Sequence, residues 1–333
     1  MVPRGAPSIA LVGWLLGLGL ACSSSGGGEG SVEEGTFESF PYRLYVPPGL
    51  GPSSRAPLVL ALHGCGADAE GFARTTRLDA LADRHRFRVL YPQEIASHHE
   101  DLCWRWFAPS DQKRDAGEPA ALVRMVRKIG EKHRTDERRV YATGLSSGGA
   151  MASILGACYP DVFAAIGVHS GEEYIEGLDR EEAKRVPSQA GPDPDQQGQR
   201  AQRCAGDNAR VLPVMVIHGK ADELANPLNG EQVFRQFAQT NDLVDDGRDD
   251  GSVSADSAIR WTATARGGSR YSVRRVDRDS KPLLQWIEVE GLGHDWSGSA
   301  ESGTTAGPDA SLMFWRFFER VGDAGAGQAP EGE

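Results

Sequence analysis

Apolar runs and amphipathic segments alternate along most of the chain. Short unbroken apolar runs predict strands at 42–47, 58–64, 87–93, 138–146, 163–171, 211–219 and 282–291. Apolar residues that recur every three or four positions predict helices at 71–86, 118–133, 148–159, 230–240 and 311–321. Strands that are apolar on both sides and separated by helices form a mostly parallel sheet with helices on both faces. The pattern therefore predicts a single α/β domain over residues 38–321.

Two polar segments interrupt this alternation, at residues 172–210 and 241–257. Both are rich in Asp, Arg, Gly and Gln, and we interpret them as surface insertions into the domain. Solvated loops are the favoured interpretation, because such segments bury little apolar surface. The alternative is that they cover a site at the edge of the sheet.

The first 21 residues have the layout of an export signal. A lone arginine precedes an apolar run at 9–20, which is too short for a membrane span, and small residues follow. Cys22 comes next, and the segment resembles a bacterial lipoprotein signal in which this cysteine is lipidated; ordinary cleavage is the alternative. Residues 22–37 are predicted to be a flexible linker and 322–333 a disordered tail, because neither has an apolar face to bury.

The formal charge of −11 at pH 7 restricts the partners of this chain. An acidic protein without a Lys/Arg-rich run has little attraction for nucleic acid or for an anionic membrane surface. We therefore expect no nucleic-acid partner, and membrane association only through a lipid on Cys22.

The segment Gly144-Leu145-Ser146-Ser147-Gly148 fits the pattern G-x-S-x-G. The pattern is weak by itself in a chain with 41 glycines, and an ordinary Gly-Ser turn is the alternative. Its context is stronger, because a predicted strand precedes it and a helix rich in small residues follows it. A strand–turn–helix of this kind is a nucleophile elbow, which exposes the serine hydroxyl. Ser146 is therefore the candidate nucleophile.

A serine hydroxyl needs a base to remove its proton and an acid to orient that base. In α/β domains that carry a nucleophile elbow, the order along the chain is serine, acid, histidine. His294 lies in a Gly-rich segment after the last strand and is the candidate base, while His169 and His218, at strand ends, are the alternatives. Asp222 follows another strand and is the candidate acid, with Glu223 as its rival.

The turn His63-Gly64-Cys65-Gly66 follows an early strand. Turns of this kind provide a backbone amide that faces the developing oxyanion. The amides of Cys65 and Ser147 are the candidate donors.

Taken together, these motifs occur in an order that is more specific than any one of them. The segments are LVLALHGCG, YPQ, CWRWF, DQKRDAGEP, DERRVYATGLSSGGAM, YPDVFAAIGVHSG, HGKADELANPLNG and GLGHDWSG. The set resembles the poly(3-hydroxybutyrate) depolymerase-like esterases, which are similar to feruloyl and acetylxylan esterases of the α/β-hydrolase superfamily. The likeness covers about residues 38–320.

The resemblance implies an α/β-hydrolase fold with Ser146, Asp222 and His294 as a catalytic triad. It also implies that Trp104 and Trp106 lie near the substrate cleft, with core packing as the alternative, and Trp296 is a further candidate substrate-binding residue. Asp295 departs from the family pattern, in which a small or neutral residue is usual.

The five cysteines are an odd number for an exported chain. If Cys22 carries lipid, four remain, and we predict the disulfides Cys65–Cys103 and Cys158–Cys204. The first pair follows strands whose carboxyl ends lie side by side in this fold. The second pair joins the end of the helix after the elbow to the first polar segment. Four buried free thiols are the alternative.

The expected function is a secreted or cell-envelope serine ester hydrolase that acts through an acyl-enzyme and needs no metal or cofactor. Expected substrates are small or oligomeric esters of the hydroxybutyrate, feruloyl or acetyl type. Insoluble polyester is expected to be a poor substrate, because only twelve polar residues follow the last predicted helix. The alternatives are a non-catalytic binding protein on a hydrolase scaffold and, among enzymes, a serine peptidase.

Overall fold

The structure is a computed structural model. It describes Met1 and residues 30–51, 53–178, 180–299 and 307–322. The expectations for the export signal, for Cys22 and for the tail beyond Gly322 fall outside the described residues.

Ten strands of the described part of the chain form one mixed sheet. They are β1 (Ser31–Phe37), β2 (Phe40–Val46), β3 (Ala56–Leu62), β4 (Arg88–Pro92), β5 (Thr135–Leu145), β6 (Ala165–His169), β7 (Val214–Gly219), β8 (Ile259–Thr264), β9 (Arg270–Arg278) and β10 (Lys281–Val289). Their order across the sheet is β1-β2-β4-β3-β5-β6-β7-β10-β9-β8. The stretch from β4 to β10 is parallel, and the strands at both edges pair antiparallel. The predicted mostly parallel sheet is confirmed.

Helices cover both faces of this sheet. They are α1 (Ala69–Thr76), α2 (Leu78–His85), α3 (Gly117–His133), α4 (Ser147–Cys158), α5 (Arg180–Ala183), α6 (Val186–Gln189), α7 (Pro194–Ala205), α8 (Leu228–Asp245) and α9 (Ala310–Gly322), with 3-10 turns at Gly206–Asn208 and Ala255–Ser257. Strand β3 is uniformly apolar because helices cover both of its faces. Leu58, Leu60 and Leu62 pack with residues of α3, α4, α7 and α8, whereas Val59 and Ala61 face α1, α2 and α9.

The expectation of a flexible linker up to residue 37 is wrong for its last seven residues. Ser31–Phe37 is strand β1, which pairs antiparallel with Phe40–Val46 along its whole length. Its side chains are exposed or half-buried. An edge strand of this kind is held by backbone hydrogen bonds rather than by apolar burial, so its polar composition concealed it.

The helix predicted at 71–86 is two helices. Arg77 lies between α1 and α2 in the left-handed region, at φ 53°, and its N–H donates to the carbonyl of Ala73. That bond closes the last turn of α1 in the way usual at helix C-termini. The apolar periodicity continues across the break, and so it predicted one helix.

The interpretation of residues 172–210 as a solvated loop is also wrong. The segment contains α5, α6 and α7, and it begins with residues buried to 3% exposure or less, from Glu172 to Ile175. Gln236 of α8 fixes this entry, because its side chain accepts from the amide of Tyr174 at 2.9 Å and donates to the Tyr174 carbonyl. Polar side chains that bond to backbone hold this segment together with buried apolar residues such as Ile175 and Val186.

Residues 241–257 are likewise folded rather than loose. Helix α8 extends to Asp245, and the buried carboxylate of Asp242 accepts hydrogen bonds from the amides of Asp250, Gly251 and Val253 at 3.0–3.1 Å. Strands β8 and β9 follow and were missed by the sequence pattern, because β8 is almost entirely exposed. Among the described residues, no helix combines the length and apolar character needed to cross a membrane.

Candidate active site

The loops after β3, β5, β6, β7 and β10 converge at one edge of the sheet, because the carboxyl ends of parallel strands lie together. A cavity of about 570 Å³ opens there. Its lining is Gly64, Cys65, Gly66, Ala67, Asp68, Gly71, Phe72, Thr75, Trp106, Leu145, Ser146, Ser147, Glu172, Pro187, Leu224, Ala225 and His294. The predicted serine and histidine, which are 148 positions apart in the sequence, therefore share one cavity.

Ser146 forms a sharp turn between β5 and α4. Its backbone is at φ 57° and ψ −122°, a conformation that L-residues rarely adopt. The glycines on either side allow this turn to pack closely: a Cβ on Gly148 would collide with the backbone carbonyl of Leu62, and one on Gly144 with the backbone of Gly148. This is the geometry of a nucleophile elbow.

Asp222 and His294 lie in direct contact. The Nδ1 atom of His294 is 2.7 Å from Oδ2 of Asp222. The other carboxylate oxygen of Asp222 accepts from the amides of Leu224 at 3.0 Å and Ala225 at 2.8 Å. These bonds fix the carboxylate against the imidazole and leave Nε2 of His294 for the serine. Glu223, the rival acid, is exposed to solvent.

His218 contacts the same carboxylate. Its Nε2 atom is 3.3 Å from Oδ2 of Asp222 and 3.0 Å from the carbonyl of Ala225. Burial by itself would raise the pKa of Asp222, but the bonds from His218, His294 and the Ala225 amide outweigh it and lower the pKa. Asp222 therefore remains ionised.

His169, the other alternative base, lies in the core instead. Its Nε2 accepts from the amide of Ser297 at 3.0 Å, and its ring stacks on Trp296. Burial lowers the pKa of His169 well below its usual value. It is not among the residues that line the cavity.

The amides of Cys65 and Ser147 are available to a ligand. Both residues line the cavity, and neither amide donates a hydrogen bond within the described part of the chain. Ser147 is the first residue of α4, where the helix leaves its N–H groups unpaired.

His63 orients the peptide that contains the Cys65 amide. Its Nδ1 is 2.8 Å from the carbonyl of Gly64, which belongs to the same peptide unit as the N–H of Cys65. Its Nε2 accepts from the amide of Glu94 at 3.0 Å, so Nδ1 carries the proton and donates it to Gly64. Burial lowers the pKa of His63, which keeps the ring neutral.

A buried charge cluster lies behind this turn. Glu94, His98 and Glu118 bring ligand-type atoms within 4.8 Å of one another. The guanidinium of Arg105 bonds Glu118 at 2.6 Å and lies 3.3 Å from Asp111. Burial raises the pKa of Glu118, with a further contribution from Glu94, to about 8. The backbone amide of Glu94 donates to His63, so the cluster adjoins the residue that orients the turn.

Both predicted disulfides are confirmed. Cys65 is joined to Cys103, which links the turn after β3 to the segment after β4. Cys158 at the end of α4 is joined to Cys204 on α7. The second bridge attaches the segment 172–210 to the helix that follows the elbow.

The structure separates the three candidate tryptophans. Trp106 lines the cavity, in keeping with the expectation from the sequence. Trp104 does not line it, and the expectation of a cleft position is wrong: the side chain is fully buried, and its indole N–H donates to the His63 carbonyl at 3.1 Å. Trp296 is also wrong as a substrate-binding residue, because it is buried in the core, where its indole donates to Ser311 at 3.0 Å. Trp104 and Trp296 each have an amphipathic ring whose N–H is satisfied by a hydrogen bond inside the protein.

Sequence reasoning missed several residues of the cavity lining, and four of them provide large or charged side chains or come from distant segments. Phe72 comes from α1, Glu172 and Pro187 from the first polar segment, and Leu224 from the loop after β7. Leu224 is 69% exposed and lies two residues after Asp222. Nothing in the local sequence indicated Glu172, because two adjacent glutamates are typical of an exposed loop.

Comparisons with known proteins agree with this geometry. Residues 40–257 match the family model described as Esterase PHB depolymerase. The chain is 31% identical over 253 residues to poly(3-hydroxyalkanoate) depolymerase C of Paucimonas lemoignei, covering 75% of this chain and 57% of that protein. It is 32% identical over 203 residues to feruloyl esterase B of Thermothelomyces thermophilus, covering 59% of this chain and 68% of that protein. The chain thus spans only part of the length of these relatives.

Among solved structures, the acetyl xylan esterase from Aspergillus awamori has the same fold. The TM-score is 0.68 at 21% sequence identity, and the match covers 87% of this chain and 99% of that one.

The sheet order, the elbow after β5 and the His–Asp pair after β10 and β7 define an α/β-hydrolase. Within that class, the chain belongs to the Esterase PHB depolymerase family.

Proposed function

We propose that this protein is a serine carboxylic-ester hydrolase that acts through an acyl-enzyme on small or oligomeric esters. The observation that carries the proposal is the 2.7 Å contact between Asp222 and His294 beside the elbow serine, all at one cavity edge. The family and the relatives named above support the same reaction class.

Acylation begins when Ser146 Oγ attacks the ester carbonyl carbon. His294 Nε2 takes the hydroxyl proton, and the ionised Asp222 stabilises the imidazolium through Nδ1. The carbonyl oxygen becomes an oxyanion, which accepts hydrogen bonds from the amides of Cys65 and Ser147. Collapse of the intermediate breaks the carbon–oxygen bond to the alcohol, which receives the proton from His294 and leaves.

Deacylation repeats the proton transfers with water as the nucleophile. His294 takes a proton from the water as it attacks the acyl-serine, and a second oxyanion occupies the same two amides. Collapse releases the carboxylic acid, and the proton returns from His294 to Ser146 Oγ. The net reaction consumes one ester and one water and produces one acid and one alcohol.

The lining of the cavity favours esters with a substantial apolar part. Phe72, Trp106, Leu145 and Leu224 provide apolar walls around the serine. A short acyl chain, a hydroxybutyrate oligomer or an aromatic acyl group such as ferulate would each bury apolar surface there.

The proposal is tested by turnover of soluble acetyl, butyryl, feruloyl and oligo-hydroxybutyrate esters beside a polymer suspension. We expect soluble esters to be hydrolysed and Ser146→Ala to be inactive. Binding of esters without turnover would instead support the non-catalytic alternative. Preferential cleavage of peptides would support the peptidase.

We also propose an extracellular or cell-envelope location. Two disulfides persist in an oxidising compartment and are rare in the cytosol. Peptide mapping without reduction, on protein isolated from its native host, tests this: free thiols at all four positions would contradict it.

A further inference from the structure

Two consecutive glutamates, Glu172 and Glu173, are buried directly after β6. They are 3% and 1% exposed. Within the described part of the chain, Oε2 of Glu172 has no hydrogen-bond partner, and neither has any carboxylate oxygen of Glu173. The two side chains differ in one respect that matters: Glu172 lines the cavity beside Ser146, and Glu173 does not. The acyl-enzyme mechanism uses neither of them.

The position of Glu172 places it close to the chemistry. Strand β6 lies between β5, which ends at the nucleophile, and β7, which ends at Asp222. Glu172 therefore lies in the loop that follows the central strand of the three, at the same edge of the sheet. It shares the cavity lining with Ser146, and the charge of Asp222 acts on it. Besides Ser146, Ser147 and His294, the polar side chains of the lining are Asp68, Thr75 and Glu172. The Asp68 carboxylate accepts from the amide of Gly71 at the start of α1, whereas Oε2 of Glu172 has no partner within the described residues.

Glu172 is a neutral acid at neutral pH. Burial raises its pKa to about 8, and the nearby charge of Asp222 adds to the effect. A neutral carboxyl group has one O–H donor as well as acceptor oxygens. It can thus bond either a hydroxyl group or a carbonyl oxygen of a ligand. A buried group of this kind is unsatisfied until a ligand arrives, and it discriminates against ligands that lack the matching oxygen.

We propose that Glu172 is a specificity-determining residue that hydrogen-bonds an additional oxygen of the substrate, either a hydroxyl or a second ester carbonyl. The inference rests on the proposed esterase function and narrows its substrate class to esters that carry such an oxygen near the scissile bond. Simple alkanoyl esters would be turned over less efficiently. The oxygen can belong to the acyl or to the alcohol part of the ester, and two substrate pairs separate these sources.

The experiment compares kcat/KM within each pair. The acyl pair is the 4-nitrophenyl esters of 3-hydroxybutyrate and butyrate, and the alcohol pair is 2-hydroxyethyl and ethyl butyrate. We expect the wild type to prefer the hydroxylated member of one pair. Glu172→Leu should lower kcat/KM for that member about 10-fold or more, and change its partner far less. Glu172→Gln retains a donor and an acceptor and should keep most of the preference.

Glu173→Gln is the matched control. It alters the adjacent buried glutamate, which does not line the cavity, and should leave the ratios within both pairs unchanged. Equal losses on both members of each pair in Glu172→Leu, with an unchanged melting temperature, would overturn the proposal and leave Glu172 a structural residue. No turnover of any ester by the wild type would instead overturn the esterase function itself.

The pH dependence gives a second test that does not depend on whether the leucine variant folds. Ionised Glu172 has no proton to donate, so a preference that rests on donation falls as the pH rises through about 8. The groups that face it are Asp222 and His294 on the neighbouring loops and Asp68 in the cavity wall. All three remain in Glu172→Gln, whose preference should therefore stay flat over the same range. Parallel pH profiles of the ratio in wild type and Glu172→Gln would contradict a role for the glutamate proton.

Discussion

At the scale of single residues, the site is a set of side chains and amides held in one state each. Ser146 is held in a strained backbone conformation, and Asp222 is held ionised, against the effect of its own burial, by His218, His294 and the amides of Leu224 and Ala225. His294 is held in the tautomer that leaves Nε2 free for the serine. Such fixed states remove reorganisation from the reaction step.

The triad makes the first prediction. Ser146→Ala and His294→Ala should each lower kcat by about 10⁴-fold or more, because the residues act as a unit. Asp222→Asn should lose less, since the imidazole can keep part of its orientation. Steady-state kinetics on a 4-nitrophenyl ester measures this, with circular dichroism as the control for folding. Ser146→Ala with a tenth of the wild-type activity would refute the assignment of the nucleophile.

His63 makes the second prediction. Its ring holds the Gly64–Cys65 peptide, so His63→Ala should lower kcat roughly 10-fold to 100-fold, less than the outright loss of an oxyanion donor. The KM should change little, because ground-state binding does not depend on that amide. His133→Ala removes another buried histidine, remote from the cavity, and serves as the control. A His63→Ala variant with raised KM and normal kcat would exclude the positioning role.

At the scale of elements, the two disulfides have different consequences. Cys65–Cys103 fixes the turn that contains the amide proposed as an oxyanion donor, and the Gly66 amide adds a bond to the Asp101 carbonyl at 2.8 Å. Cys158–Cys204 fixes α7 to α4, on the face of the sheet that contains α3 and α8. The first bridge is part of the site and the second is part of the scaffold.

The third prediction follows from that difference. Replacing Cys158 and Cys204 by serine should lower the free energy of unfolding by about 2–4 kcal/mol, with kcat nearly unchanged. Replacing Cys65 and Cys103 should lower kcat as well, because the turn gains freedom. Urea unfolding and ester kinetics on the same two double variants check both statements. Equal kinetic losses in the two variants would contradict the division between site and scaffold.

At the scale of the whole molecule, buried acids set the response to pH. Burial and neighbouring carboxylates raise the pKa of Glu118 to about 8, and burial does the same for Glu172. In the unfolded chain a glutamate has a pKa of about 4.3. As the pH rises from about 4.3 to 8, the unfolded state loses glutamate protons that the folded state keeps, so these two acids lower the stability across that window. The buried histidines His63 and His169, whose pKa burial lowers, act in the opposite direction, but only up to the pKa of about 6.5 that a histidine has in the unfolded chain.

The fourth prediction tests this sign. The free energy of unfolding should decrease from pH 7 to pH 8 in the wild type, above the range in which the buried histidines oppose the acids. It should decrease less steeply in Glu118→Gln, which has no proton to lose. Urea titrations at several pH values measure the slope. Glu38→Gln is the control, because the bond from Arg124 lowers the pKa of Glu38, so that its titration lies below this window. A slope in Glu118→Gln equal to that of the wild type would contradict the prediction.

The fifth prediction concerns attachment of the whole molecule to a membrane. If Cys22 is lipidated, the wild type should fractionate with membranes and Cys22→Ala should be soluble. The enzyme domain should be equally active in both forms, because the lipid would be attached outside the catalytic domain. Mass spectrometry that finds no acyl group at the mature N-terminus would leave an ordinary secreted protein.

The sequence by itself determined the parallel centre of the sheet and the strands that carry the site, but not the edge strands β1, β8 and β9. Apolar runs marked β3, β5, β6, β7 and β10, because strands covered on both faces have no polar positions. The triad candidates and both disulfide pairs could be named, since the serine, the acid and the histidine each directly follow a strand and the carboxyl ends of parallel strands meet. Local pattern and topology together were sufficient for these assignments.

The tertiary structure alone decided which residues surround the substrate. Trp104 and Trp296 are the residue type expected in a substrate cleft, yet the indole N–H of each donates a hydrogen bond to a partner in the core. Glu172 looked like part of a solvated loop, yet it is buried beside the nucleophile. Burial of a polar side chain depends on partners that are distant in sequence, such as Gln236 bonding Tyr174, and no local pattern records them. Edge strand β1 could not be predicted for a similar reason. Backbone hydrogen bonds to β2 hold it, and apolar side chains contribute little.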